Sequence, residues 1–427
     1  IGADSQAGSS GVSVFYDGEF YDNIFVSLRG NTTAGYPKKS HRFEFNREHT
    51  FRHPGVGFGW PDKPGPRIRR TSFVADYPDP TYMRQGLSFW LCEQVGSPAS
   101  FYYPVRLQLN GQFYQLANHN DVHTEELLDR LGYDPNGALY NAVGTVQPSQ
   151  FSTGGFEKKT REWEGNQDYQ ELANAIAESV PLTTRRINAF EMLDLPNIIN
   201  YLVTARFVQE NDHVWANMSL YHDNDGDDLW RAISFDMNLS WGAFFMDNPA
   251  NDQGIQATND GHKSFPLYGS SQALSLTSGN YNRIYDVIFD VPETLEMFRR
   301  RMRTVLDNFV LPPGSAPGSS PVEQKILAWR DRILVEGALD RAKWGWPGIG
   351  GQNNLPPASV TEGVDDLLQQ FFYPRRNHFY GKHSVTNTAL PIGTLKTQNA
   401  GFPLPQPTDS RLLVASLEFN PASRNQE

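Results

Sequence analysis

Residues 209–242, "QENDHVWANMSLYHDNDGDDLWRAISFDMNLSWG", decide the reading of this chain. The stretch holds Asp212, Asn217, an acidic run at 223–228, Asp236 and Asn238. A solvated hairpin, a calcium loop and the metal-holding half of a phosphotransfer site all use such carboxylates and amides. Two short β-prone runs, "MSLYHD" and "LWRAISFD", flank "NDGD", which predicts a hairpin with its turn in the acidic run. A calcium loop needs a bidentate Glu at its twelfth position, and the spacing here lacks it. The hairpin therefore serves to bring its two ends together, Asp212 and Asn217 on one side and Asp236 on the other.

Phosphoryl transfer needs a cation for the phosphates, oxygen ligands for one or two Mg²⁺ ions, and a carboxylate that orients the attacking hydroxyl. Protein kinases place a catalytic Asp and a metal-binding Asn five positions apart, with a second metal-binding Asp at a strand end. "DHVWAN" and "RAISFD" reproduce that order. Spacing alone is weak; the sequence helix, Asp-x4-Asn, hairpin, strand-Asp is more demanding. The helix is supplied by "LPNIINYLVTARFVQEND", where Ile198, Tyr201, Leu202 and Ala205 form one apolar stripe.

Farther out, the first 60 or so residues read as strands, with a hairpin at Asp17-Gly18. In "KKSHRFEFN", Lys39, His41, Phe43 and Phe45 share one face. Phe43 and Phe45 should face the core, so Lys39 is expected at the end of the buried face and His41 as a packed histidine. A helix is expected in "DPTYMRQGLSFWLCEQVG", with Asp79 as N-cap, Pro80 in the first turn and Gly96 as stop. A second hairpin turns at Asn110-Gly111, and "TEELLDRLG" follows as a short helix. Helices are expected at 292–310, 320–343 and 361–380, with a Pro/Gly/Ser loop at 311–321.

The 427 residues, 39% hydrophobic and 13% aromatic, suffice for a large core. A net charge of −11 argues against nucleic acid as the main partner, and the basic runs "RIRR" and "RRRMR" read as solvated charge. The single cysteine, Cys92, allows neither an internal disulfide nor a thiolate metal site. No apolar run of about 18 residues predicts a membrane span. His119 and His123 lack the intervening Glu of a zinc helix, and "RRNHFY" at 375–380 reads as an interlobe or surface contact.

Four blocks, "SLRGNTTAGYPKKSHRFEF", "FVADYPDPTYMRQGLSFWL", "LNGQFYQLANHNDVHTEELLDRLGYDPNGALY" and "NDHVWANMSLYHDNDGDDLWRAISFDMNLSWG", span roughly 25–245. In this order they resemble the CotH kinase family, atypical kinases named for a spore-coat protein. The resemblance implies an α+β, two-lobed atypical protein-kinase-like fold with a small β-rich N-lobe and a mainly helical C-lobe. The expected division is 1–145 for the N-lobe with one helix, 146–385 for the C-lobe, and 386–427 for a linker and the start of a further β domain. The final run, "LLVASLEFNPASRNQE", resembles the opening strand of a lamin-tail-like domain.

The resemblance further implies ATP and Mg²⁺ (or Mn²⁺) as cofactors and phosphorylation of protein Ser/Thr. By position, Asp212 is the expected catalytic aspartate and Lys39 the phosphate contact. Asn217, Asp236 and Asn238 are the expected metal ligands, and Arg29 and Asn31 the residues of a cofactor-binding turn. Arg84 matches a recurrent family position, either a phosphate contact or a structural ion-pair partner. The family's usual Glu-Gln pair reads Asn120-Asp121 here, so the role of that glutamate is expected to pass to Asp121 or be lost. Asn238 replaces a common Asp, one negative charge fewer for a cation. An extracellular or cell-surface setting within a larger chain is expected, a spore coat less so. Two alternatives stay open: a weak or inactive pseudokinase acting as a surface module, and a metal-dependent hydrolase using the same acids.

Overall fold

The computed structural model describes residues 8–16, 18–30, 32–53, 67–153, 155–210, 212–214, 216–242, 255–260, 267–268, 281–345 and 359–384. Asn31 and the tail expected to begin a further β domain lie outside the described residues. The fold is mixed α+β. β1 (Ser9–Tyr16), β2 (Glu19–Arg29), β3 (Ser40–Glu44), β6 (Arg70–Val74), β7 (Tyr102–Leu109) and β8 (Gln112–Asp121) form one antiparallel sheet in the order β1-β2-β3-β6-β8-β7. β4 (Phe51–Arg52) and β5 (Arg67–Ile68) pair separately. The two expected hairpins are present, with Tyr16 opposite Glu19 and Leu109 opposite Gln112. Asn110 and Gly111 both take positive φ, 52° and 77°, as the tight two-residue turn requires.

A second sheet, ordered β10-β9-β11-β12, combines β9 (Ala138–Val143), β10 (Glu157–Lys158), β11 (Met218–His222) and β12 (Trp230–Ser234). β9 lies before residue 145 yet pairs with β11, so a domain boundary at 145 would separate it from the strands it pairs with. The helices are α1 (Arg84–Gln94), α2 (Glu125–Leu131), α3 (Gln150–Thr153), α4 (Gln167–Ala175), α5 (Leu182–Met192), α6 (Leu195–Phe207), α7 (Arg283–Asp290), α8 (Pro292–Val305), α9 (Pro321–Trp344), α10 (Val360–Asp366) and α11 (Tyr373–His378). Turns of π-helix at Leu306–Val310, Leu367–Phe372 and Phe379–His383 extend α8, α10 and α11.

The main core runs from α1 through α6 to the late helices and β11–β12. Tyr21, Ile24, Val26, Phe45, Phe51 and Ile68 form a separate cluster against the first sheet. α6 is buried at every position from Asn197 to Phe207, not along one stripe, because α1, α8 and β12 enclose it. α1 begins four residues later than its cap would place it, at Arg84. The N-cap position is Met83, not Asp79, yet the Asp79 carboxylate still accepts from the amides of Met83 and Arg84, each at 2.9 Å.

Candidate active site

Met218 pairs with Ser234 at one end of the β11–β12 hairpin, so Asn217 and Asp236 flank its open end. The acidic run sits at the far end, and its charges are spent on neighbours. Asp227 pairs with Arg231, Asp225 with Arg161, and Asp228 with His222. A hairpin tip, not an ion loop, accounts for them. At the open end Asn217 donates its amide to Asp212 Oδ2 at 2.9 Å. His213 Nε2 donates to the carbonyl of Phe235 at 2.9 Å, tying the residue after Asp212 to the residue before Asp236. Tyr201 bonds the other ring nitrogen, and burial pulls the His213 pKa down to about 3, so the ring is a neutral strut. Asn217 and Asp236 both adopt left-handed backbone, φ 58° and 48°. Such conformations cost a non-glycine residue about 1–3 kcal/mol and cluster at functional sites.

A partly open cleft, about 870 Å³ with its open solvent included, runs between the first sheet and the segment following β12. Arg29, Lys38, Asp76, Asp79, Asp236 and Asn238 line it. Three expected residues, Arg29, Asp236 and Asn238, therefore share one wall system. Asp212 and Asn217 are not in the lining; the Asp212 amide donates to Glu210 Oε1 at 2.9 Å, and His213 links the segment to the residue before Asp236.

Lys39 is not in the lining. β3 starts only at Ser40, so its alternation does not extend back to Lys39, which is partly exposed and donates to the Ala34 carbonyl at 2.7 Å. The buried lysine is Lys38, 1% exposed. Its Nζ pairs with Asp340 of α9 at 2.8 Å, donates to the Ala75 carbonyl at 2.6 Å and sits over the Tyr82 ring. Desolvation lowers its pKa and Asp340 opposes the shift.

Asp121 is corrected as well. β8 alternates, so Asp121 faces away from Asn120 and from the cleft. Its carboxylate accepts from Arg130 at 2.7 Å and from the Phe101 amide at 2.6 Å, and these partners hold it ionised despite burial. The strand's contribution near the cleft comes from Asn118, which donates to Asp76 Oδ2 at 2.6 Å. Tyr102 donates to the same oxygen at 2.6 Å. Burial and the neighbouring Asp79 push the Asp76 pKa up to about 7. Arg84 is structural: it is buried and paired with Asp79. His119 and His123 are packed, His123 bridging Ser100 and Ser219 at 2.9 and 3.0 Å.

Glu210 was not anticipated. It is fully buried, and its Oε2 has no hydrogen-bond partner among the described residues. Desolvation, with Asp212 and Asp236 nearby, holds its pKa well above the carboxylate range. Asp236 is raised by burial too and partly held down by Arg29. Glu210 thus feels the charges of Asp212 and Asp236, offset in part by Arg206, while Arg29 acts on Asp236; a divalent cation would relieve the repulsion among the acids. Asp236 and Asn238 line the cleft with the oxygen donors that such an ion prefers, although the carboxylates of Glu210, Asp212 and Asp236 do not converge within 4.8 Å of one another. Lys38, Asp76 and Glu210 escaped the sequence reading for different reasons. Lys38 differs from Lys39 only by one step in an irregular segment, and the two acids are single letters whose burial only the packed fold reveals.

The family model described as CotH kinase protein matches residues 26–312. No curated protein matches the chain.

Proposed function

From the premise that this chain belongs to the CotH kinase family, we propose that it is an ATP- and divalent-metal-dependent kinase that phosphorylates protein serine or threonine. Kinase activity in general comes with the family; nucleotide, metal and acceptor are our reading. The observation that carries it is the meeting of Arg29 and Lys38 with Asp236 and Asn238 in one cleft.

Asp236, Asn238 and Asn217 would hold Mg²⁺ or Mn²⁺, which when bound neutralises charge on the transferred phosphoryl group. Lys38 takes the phosphate-binding role expected of Lys39, held in place by Asp340. Arg29 supplies a second cation on the same wall. Asp212 orients the acceptor hydroxyl. Asn217, by donating to Asp212 Oδ2, fixes that carboxylate and turns its own amide oxygen the other way. The arrangement would correspond to a two-lobed kinase-like fold, with the sheet of β1–β3 and β6–β8 as the smaller lobe and the helical core as the larger. An exported or surface setting completes the reading.

Transfer from radiolabelled ATP with Mg²⁺ or Mn²⁺ tests it, using autophosphorylation and casein-like or basic protein acceptors. Asp236→Asn and Asp212→Asn should each lower the rate on the order of 10²-fold or more. No transfer to any acceptor, with both variants indistinguishable from the parent, overturns it. One observation favours a second reading: Asn238 offers the cleft a neutral oxygen where the family commonly has a carboxylate. A weak kinase or nucleotide-binding pseudokinase would keep ATP-dependent thermal stabilisation while losing transfer.

A further inference from the structure

Asp260, His378 and His383 converge outside the cleft. His378 Nε2 lies 2.7 Å from Asp260 Oδ1, His383 Nε2 lies 3.0 Å from Asp260 Oδ2, and the two Nε2 atoms are 3.1 Å apart. We propose that these three residues bind one divalent transition-metal ion of the zinc class, which fastens the end of the helical run after α11 to the segment at 255–260.

Several independent features support this. Zinc bonds nitrogen and carboxylate oxygen at about 2.0–2.2 Å, so tetrahedral ligand atoms stand about 3.3 Å apart. The observed separations, 2.7, 3.0 and 3.1 Å, are somewhat shorter, as expected of ligand atoms that would spread slightly around an ion. Two imidazole nitrogens facing each other at 3.1 Å gain nothing from direct contact if both carry protons, whereas a shared cation uses both lone pairs. Tyr268 Oη lies 3.0 Å from His383 Nδ1 and can accept a hydrogen bond from Nδ1–H, leaving Nε2 as the ligand atom. Burial lowers the His383 pKa toward the neutral, ligating form, and both histidines help hold Asp260 ionised. The histidine side chains are 6% and 8% exposed and Asp260 is 28% exposed, so the carboxylate offers an entrance.

The helix geometry explains how the pair forms. Histidines five apart diverge on an α-helix, where positions three or four apart align. Here the backbone turns π-helical over Phe379–His383, and i to i+5 hydrogen bonding brings positions 378 and 383 to one side. Such turns recur at functional sites. Next to the cluster, Arg375 donates to the carbonyls of Ala257, at 2.7 Å, and Phe207, at 3.0 Å. The ion would therefore reinforce a junction of three segments, one of which, α6, leads to Glu210 and Asp212.

The test uses the full chain stripped with a chelator and then titrated with Zn²⁺ or Co²⁺ alone, without nucleotide. One equivalent should bind by equilibrium dialysis and elemental analysis, and Co²⁺ should give the visible bands of a four-coordinate N/O site. Melting should rise by about 5 °C at about a hundredfold excess over Kd. His378→Ala and His383→Ala should abolish both the bound equivalent and the shift, whereas Asp236→Asn should retain them. Asp260→Asn, close in shape, keeps the test valid if an alanine variant misfolds, and should weaken binding at least tenfold. Absence of a bound equivalent, or binding that persists in folded His378→Ala/His383→Ala, overturns the proposal and leaves an ordinary Asp-His ion triad.

Discussion

Lys38 and Lys39 adjoin in sequence but differ in every physical respect. Removing one member of a buried ion pair strands the other, at a cost of about 3–5 kcal/mol. Lys38→Met should therefore destabilise by about that amount in denaturant melts, and Lys39→Ala by less than about 0.5 kcal/mol. Pairing Lys38→Met with Asp340→Leu should recover most of the fold stability without recovering ATP-dependent thermal stabilisation; a double variant no more stable than Lys38→Met would contradict the counter-ion assignment. Asn238→Asp adds the charge that the family pattern supplies. It should lower the Mg²⁺ concentration for half-maximal nucleotide-dependent stabilisation by about tenfold, and an unchanged or higher requirement would remove Asn238 from the metal site. Alternation placed His41 and Phe45 in the interior and misjudged Lys39. Parity is a property of a hydrogen-bonded strand, and it lapses in the irregular residues before Ser40.

At the level of elements, the turn chemistry was the most legible part of the sequence. Asp-Gly, Asn-Gly and the acidic run at 223–228 each mark a hairpin now seen, because a left-handed turn admits few side chains. Asp79 was expected at the N-cap, which falls instead on Met83; its reach across four residues to the α1 amides was not legible. That same carboxylate also neutralises buried Arg84. Asp79→Ala should therefore cost more than a helix cap alone, about 3–5 kcal/mol where caps contribute about 1. A loss near 1 kcal/mol in thermal or denaturant unfolding would show that Arg84 finds another partner. The π-helical turns had no sequence signal, since side-chain periodicity is set by hydrogen-bond register and local composition does not dictate it. This is why 375–380 read only as a contact surface.

Over the whole molecule, buried acids with raised pKa values set the pH response. Asp76, near 7, and Glu210, well above its ordinary value, bind protons more tightly folded than unfolded. Their stabilisation is complete below the unfolded carboxylate range and is lost as pH rises through the folded values. The buried His213 and His123, both near 3, shift the balance oppositely, but only as pH falls below about 6.5. Calorimetric melting should thus fall as pH rises from about 6.5 toward 7, and Asp76→Asn should flatten part of that decline. A melting point that rises across this interval would refute the assignment. The family match stops at 312, yet Asp340, the counter-ion of Lys38, lies on α9 beyond it. Arg375, which holds the end of α6, lies farther still. A recombinant fragment trimmed to the matched residues would carry a bare ammonium in its interior and an untethered helix below its acids. Expression boundaries for this protein should be drawn past residue 384, and loss of activity in a shorter piece would report on folding before it reported on chemistry.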